Sequence, residues 1–304
     1  MNNYPFHQSL LDTTTTTTTT ATTTTSWPPK SVNPNTLPTF SDLISRLILI
    51  SSFATVAIWA NHEASKGFSI TILNDAGKHS MPGRRFSLFY ESNDKATRIV
   101  LNTSSFVENL LYPNQDFDHR KKQINSVTLK LAPKAFPAIV SVYSRKPFEY
   151  MIMLSPSLME TSNHNDSFVL AVLQGIARVW LWDGKGVTPP ALLNGMVEYI
   201  SALAGFQDTK VLNFGGGATM LPVKDEICWK DEDPRKVARF LRYYDQRKQG
   251  SVGGGGGVVI RRLNDVMRDV WHDGMMDDAL GMAGQHACAS YDIFTRHHHL
   301  SSSI

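Results

Sequence analysis

His62-Glu63 opens a stretch spaced in part for metal-assisted hydrolysis. Two histidines four apart on a helix, with a glutamate after the first, hold zinc and supply a general base. Here Lys66 stands where the second histidine would be and Gly67 follows, so His62-Glu63-Ala64-Ser65-Lys66 reads as a solvated linker. The other candidates, His164, Glu198, His272 and His286, lie far apart, and no pair has ligand spacing on a helix. An active site would need two or three of them, His62 included, to converge in space. His164, ahead of a helix and among polar neighbours, reads as a surface-loop histidine. Phe214-Gly215-Gly216-Gly217 lacks both a closely preceding strand and a following Lys-Ser/Thr, which argues against a phosphate cradle. Cys228 and Cys288 cannot make a metal site alone; one bridge in an oxidising compartment and two buried thiols both remain open.

The net charge of +3 over 304 residues is mildly basic. Arg84-Arg85, Arg120-Lys121-Lys122 and Arg261-Arg262 are short, scattered clusters with no aromatic ladder between them, so no nucleic-acid partner is expected.

The elements that position these residues begin late. Residues 1–41 carry an unbroken threonine run, Thr13 to Thr20, and prolines at 28, 29, 34 and 38. They bury too little apolar surface to offset chain entropy, and disorder is expected. Residues 42–61 hold the most hydrophobic stretch, Leu43 to Ala60. Its uninterrupted part, from Leu47, falls short of the roughly 20 residues a bilayer span takes. Counting from Leu43 brings it close, with Arg46 near the end, where it can snorkel. The stretch lies too far from Met1 for an ordinary cleaved signal peptide. It reads as a signal-anchor, or as a helix buried in the domain with Ser51, Ser52 and Thr55 along one face. The expected location is therefore membrane-anchored or in the secretory pathway, with a plastid or a soluble intracellular location as the alternatives. The N-terminus is acid-poor and hydroxyl-rich, as transit peptides are, but has no arginine before Arg46.

Residues 62–294 read as one domain, with 295–304, including His297-His298-His299, as a disordered tail. Phe68 to Leu73, Arg85 to Phe89, Val127 to Leu131, Ala138 to Val142 and Tyr150 to Leu154 have strand patterns, and Asp94 to Tyr112 a helical one. Asn163 to Asp166 supplies a cap. Val169, Val172, Leu173, Ile176, Val179 and Trp180 then follow helical spacing, which turns Gln174 and Arg178 to another side. Asp183-Gly184-Lys185-Gly186 breaks that helix, Pro189-Pro190 opens a second, and Gly205 is placed to end it. Further helices are predicted at Pro234 to Gln249 and Val258 to Trp271. The fold class expected is α/β (α+β): a small mixed sheet in the N-terminal half packed on the central helix, then a helical C-terminal half.

Val179-Trp180-Leu181-Trp182, Leu192-Leu193-Asn194-Gly195-Met196-Val197-Glu198-Tyr199 and Ala238-Arg239-Phe240-Leu241 carry a resemblance, in order and spacing. So do Gly83-Arg84-Arg85-Phe86 and Leu263-Asn264-Asp265-Val266-Met267-Arg268. Over Phe68 to Tyr291 the chain resembles the plant basic secretory protein family of zincin-like peptidases. That family carries H-E-x-x-H before V-W-x-W on the first helix and G-L-x-E-G-x-A-D-Y on the second. The resemblance implies a zincin-like fold and, from the family, zinc, peptide hydrolysis and a link to plant defence and secretion. This chain departs at the site itself. Gln174 and Arg178 replace the two histidines, Gly175 the general-base glutamate and Asn194 the glutamate before the motif glycine; Pro234 replaces a rim tyrosine. Only the acid at Glu198 survives. A fixed cation, an amide and a glycine cannot hold zinc or deprotonate water. The expectation is a catalytically inactive pseudo-peptidase without zinc, whose cleft of Gln174, Gly175, Arg178, Asn194 and Glu198 binds a peptide or a cell-wall-associated ligand. Arg178 and Glu198 are expected to pair across the cleft in place of the metal. The alternatives are an active metallopeptidase-like hydrolase with a relocated metal site, and a membrane-tethered interaction protein held through residues 43–60.

Overall fold

In the computed structural model the described residues are 44–53, 67–113, 121–160, 164–206, 227–249 and 256–301. The expectations for 1–41, His62, Phe214 to Gly217 and most of the second half of Leu43 to Ala60 lie outside them. The chain divides into two units, Asp12–Gly67 and a larger one that holds Phe68–Ile304.

Among the described residues four strands form one sheet in the larger unit: β1 (Ser69–Asn74), β2 (Ser126–Leu131), β3 (Val140–Lys146) and β4 (Glu149–Leu154). Their order is β1-β2-β4-β3; β1, β2 and β4 run parallel and β3 lies antiparallel on β4. Alternation in β2 buries Val127, Leu129 and Leu131, and β4 buries Ile152 and Leu154. The mixed sheet and helical second half agree with the fold class expected.

The strand expected at Arg85 to Phe89 is helical instead. Helix α1 (Met81–Phe86) continues into a π-helical turn, Ser87–Glu91. The Ser80 hydroxyl accepts from Gly83 N at 3.0 Å and Pro82 sits in the first turn, which favours a helix start. Phe86 and Tyr90 are buried four residues apart, and the Tyr90 ring stacks on Phe168 at 3.9 Å. The buried period is helical and outweighs the local alternation.

Helix α2 (Lys95–Leu111) links β1 to β2, and α3 (His164–Trp180) is the central helix. His164 is thus the first residue of a helix, set against the Phe89 ring at 5.1 Å, rather than a loop residue. Helix α3 buries Phe168, Val169, Ala171, Val172, Leu173, Gly175, Ile176, Ala177, Val179 and Trp180. A helix apolar nearly all round must be covered nearly all round, and α3 packs on α2, β3, β4 and the following helix. Its last carbonyls are satisfied by distant side chains. Tyr112 Oη donates to Trp180 O at 3.3 Å and Lys122 Nζ to Leu181 O at 2.6 Å. Lys122 is buried between the rings of Tyr150 and Trp182, and burial pushes its ammonium down to about 8. The Asn264 amide closes the arrangement, accepting from Trp182 N and donating to Tyr112 Oη at 3.0 Å. Trp180 Nε1 donates to Ser104 Oγ at 2.9 Å. The V-W-x-W and L-N motifs therefore meet at one helix end.

Helix α4 (Pro190–Leu203) ends in a Schellman motif in which Gly205, at φ 89°, donates to Ala202 O and Phe206 to Ser201 O. Helix α5 (Pro234–Gln249) has the bounds expected and lies close on α4 at Gly195, where a Cβ would meet the Val237 side chain. Helix α6 (Val258–Val266) stops five residues before the Trp271 expected. There the backbone turns away to bond the Gly184 turn, Gly184 N donating to Met267 O and Trp271 N to Gly184 O, so tertiary bonds end the helix. Helices α7 (Gly274–Leu280) and α8 (Gly284–Ser301) complete the unit, and α8 runs through residues 295–301, where a tail was expected. Cys228 and Cys288 form a disulfide with a sequence separation of 60, which decides between the alternatives left open by their spacing.

In the other unit residues 44–53 are helical. Among the described residues no helix is long and apolar enough to cross a membrane.

Candidate functional site

Gln174 and Arg178 stand four apart on α3, and Asn194 and Glu198 four apart on α4, so each pair shares one helix face. The structure brings these four together. Gln174 Nε2 donates to Glu198 Oε1 at 3.2 Å, and Arg178 Nη2 donates to Asn194 Oδ1 at 2.5 Å. The ion pair expected between Arg178 and Glu198 is not formed; among the described residues neither takes part in one. The reason is register. The chain reverses between α3 and α4, so position 174 is level with 198 and 178 with 194. The cation meets an amide, and the carboxylate meets the other amide one turn away.

Electrostatics follow from this placement. Burial pushes the Glu198 carboxyl up; Arg235 and Arg178 pull it down while Asp233 adds to the rise. Burial pushes the Arg178 guanidinium down and Glu198 opposes that shift. Arg178 is nevertheless more than a third exposed, so solvent screens its coupling to Glu198. A double-mutant cycle of Arg178→Met and Glu198→Gln, read by denaturant melts, should give single effects of about 1 kcal/mol or less and a coupling below about 0.5 kcal/mol. A coupling above about 2 kcal/mol would mean that the two charges touch in solution.

Gly175, where the resemblance would put the general base, does not open toward this quartet. A Cβ there would sit 2.6 Å from Ile152 Cγ2 and 3.2 Å from Ile152 Cδ1, so the position is closed against β4. The relocated candidates that are described do not gather into a metal-binding group. His164 lies at the start of α3, while His272 and His286 are exposed on separate segments. Among the described residues no group of three or more His, Cys, Asp or Glu could hold a metal ion. Asp233 and Arg235, in and just before the first turn of α5, also act on Glu198 and were not singled out from the sequence. The signal was available: Pro234, between them, aligns with the rim tyrosine.

Zinc needs lone pairs and anions around it. Gln174, Arg178 and Asn194 offer one guanidinium and two amides already bonded between the two helices, with Glu198 as the only anion of the four, so these residues do not fit zinc.

A family model described as BSP, peptidase of plants and bacteria, matches residues 65–291. No curated protein and no solved structure matches the chain.

Proposed function

The chain belongs to the family of peptidases of plants and bacteria, and we propose that within it this member is a binding protein that does not hydrolyse what it holds. The observation that carries this reading is the cross-bonded quartet. The two positions of the missing histidines are filled by Gln174 and Arg178, each occupied by a partner on α4. The blocked position at Gly175 supports it independently. A fold outlives the chemistry of a site grafted on it, and the cleft remains as a binding surface for a peptide or a cell-wall-associated ligand, with a role in plant defence. The disulfide supports passage through an oxidising, secretory compartment. The test is metal analysis and a peptidase assay on the purified full chain. The expected result is substoichiometric zinc, no thermal stabilisation by zinc and no hydrolysis. Stoichiometric zinc that raises Tm and is lost in Glu198→Gln would overturn the reading.

A second reading, compatible with the first, is that the protein is membrane-tethered. Leu47, Ile48, Leu49 and Ile50 are each more than half exposed. Successive helix residues point about 100° apart, so these four cover every side of the helix. The Ser52 hydroxyl bonds back to Leu49 O at 2.8 Å, as a polar group in lipid must be satisfied from within. The full-length chain should float with phosphatidylcholine vesicles, and Ile48→Lys with Ile50→Lys should stay in the soluble fraction. Wild-type chain left in the soluble fraction would dismiss the tether.

A further inference from the structure

We infer that the exposed face where Arg178 of α3 meets Asn194 of α4 takes a carboxylate, gripped by the Arg178 guanidinium. The inference rests on the reading that this site binds without zinc, and it names the chemistry of the ligand. A zinc site is a ring of lone pairs that holds a cation. Here the position where the resemblance would put a ligand carries a cation itself, so that position offers N–H donors rather than a lone pair.

The donors left over define what fits. Arg178 has five N–H donors and no acceptor, and among the described residues the one bond it makes is to the neutral Asn194 Oδ1. That bond fixes the planar fork without neutralising its charge. The side chain is more than a third exposed, so its remaining N–H groups can reach a ligand. Asn194 Nδ2 has no acceptor among the described residues and belongs to the amide that already holds the fork.

Arg235 is a second cation. It is exposed, its guanidinium has no acceptor among the described residues, and its charge acts on Glu198. The two acids nearby are engaged. Glu198 Oε1 accepts from Gln174 Nε2, and Asp233 Oδ1 accepts from Arg235 N at the start of α5. A carboxylate matches an arginine fork with two parallel bonds, a geometry that a backbone carbonyl cannot copy.

On a polypeptide a carboxylate comes from an Asp or Glu side chain or from the chain end. Calorimetric titration of the full-length chain with four versions of one short peptide separates these sources: an internal Glu or Gln, each with a free or an amidated C-terminus. The expected result is binding at least about tenfold tighter for versions that carry the recognised carboxylate. Glu against Gln identifies a side-chain source, and free acid against amide a terminal one. Arg178→Met should remove the preference, Arg178→Lys should keep part of it, and Arg235→Gln should flatten its salt dependence. Equal binding of all four peptides, no binding of any, or an undiminished preference in Arg178→Met overturns the inference. Each of these outcomes can occur with zinc absent, so failure here is distinct from failure of the non-hydrolytic reading, which turns on metal and hydrolysis.

Discussion

Replacing Asp245 by alanine is expected to destabilise the domain by about 3–5 kcal/mol, a large fraction of a typical domain's stability. The carboxylate is fully buried and accepts three hydrogen bonds: from Tyr199 Oη at 2.7 Å, Gly257 N at 2.6 Å and Val259 N at 3.0 Å. It thereby ties α4, α5 and the start of α6 at one point. Two of the donors are backbone N–H groups at the first turn of α6, which has no side-chain cap of its own. Alanine would leave all three donors without their acceptor in the core, and each unsatisfied buried group costs roughly 1–3 kcal/mol, reduced where water can enter. Asparagine keeps the size but turns an N–H₂ toward donors, so Asp245→Asn should recover less than half of the loss. Urea melts with an unchanged m-value are the measurement. A shift below about 1 kcal/mol in Asp245→Ala would show that these bonds do not hold the three helices together.

That node also shows what the sequence reveals and what it hides. Val237, Leu241 and Asp245 follow one another at intervals of four, so the carboxylate lies on the inward face of α5. An acid on an apolar face is a visible signal of a buried hydrogen-bonding role, and the partners are not visible. The bounds of α5 and the position of α3 were legible because periodicity and breakers agreed along the chain. Arg85 to Phe89 misled because an alternating pattern of five residues fits both periods, and only the contact of Phe86 and Tyr90 with Phe168 settles it. The early end of α6 was illegible for a similar reason, since it depends on the Gly184 turn some eighty residues away. At the site the quartet was legible residue by residue, but its pairing was not. Which side chain meets which is fixed by the level at which two antiparallel helices stand, and the loop between them sets that level. The resemblance puts Arg178 and Glu198 on the same side with opposite charges, whereas the geometry gives Arg178 Asn194 as its partner.

Placing a glutamate at 175, where the resemblance would put a general base, should unfold the domain or destabilise it by several kcal/mol, and should not create hydrolysis. In an open helix interior, replacing glycine by alanine gains about 0.5–1 kcal/mol, because the unfolded chain loses freedom and the helix gains propensity. At Gly175 the added Cβ meets Ile152 Cγ2 at 2.6 Å, closer than carbon atoms pack. The Ile152 methyl is on a β-branched, fully buried side chain of β4, so it cannot swing away at little cost. Overpacking of this kind costs about 1–3 kcal/mol and outweighs the propensity gain, so even Gly175→Ala should be destabilising. Glutamate adds a carboxylate on top of that same contact, at a buried position closed by the Ile152 side chain, so the penalty of burying a charge adds to the steric one. The steric part can be isolated. Ile152→Ala alone should cost about 2–5 kcal/mol through its cavity, and combined with Gly175→Ala it should cost clearly less than the sum, because one change fills the space the other opens. Thermal melts of the single and double variants measure this. Additive losses, or a Gly175→Ala variant more stable than the parent, would mean that α3 and β4 stand farther apart than the 2.6 Å approach requires. The glycine would then reflect something other than a helix that has closed onto its sheet.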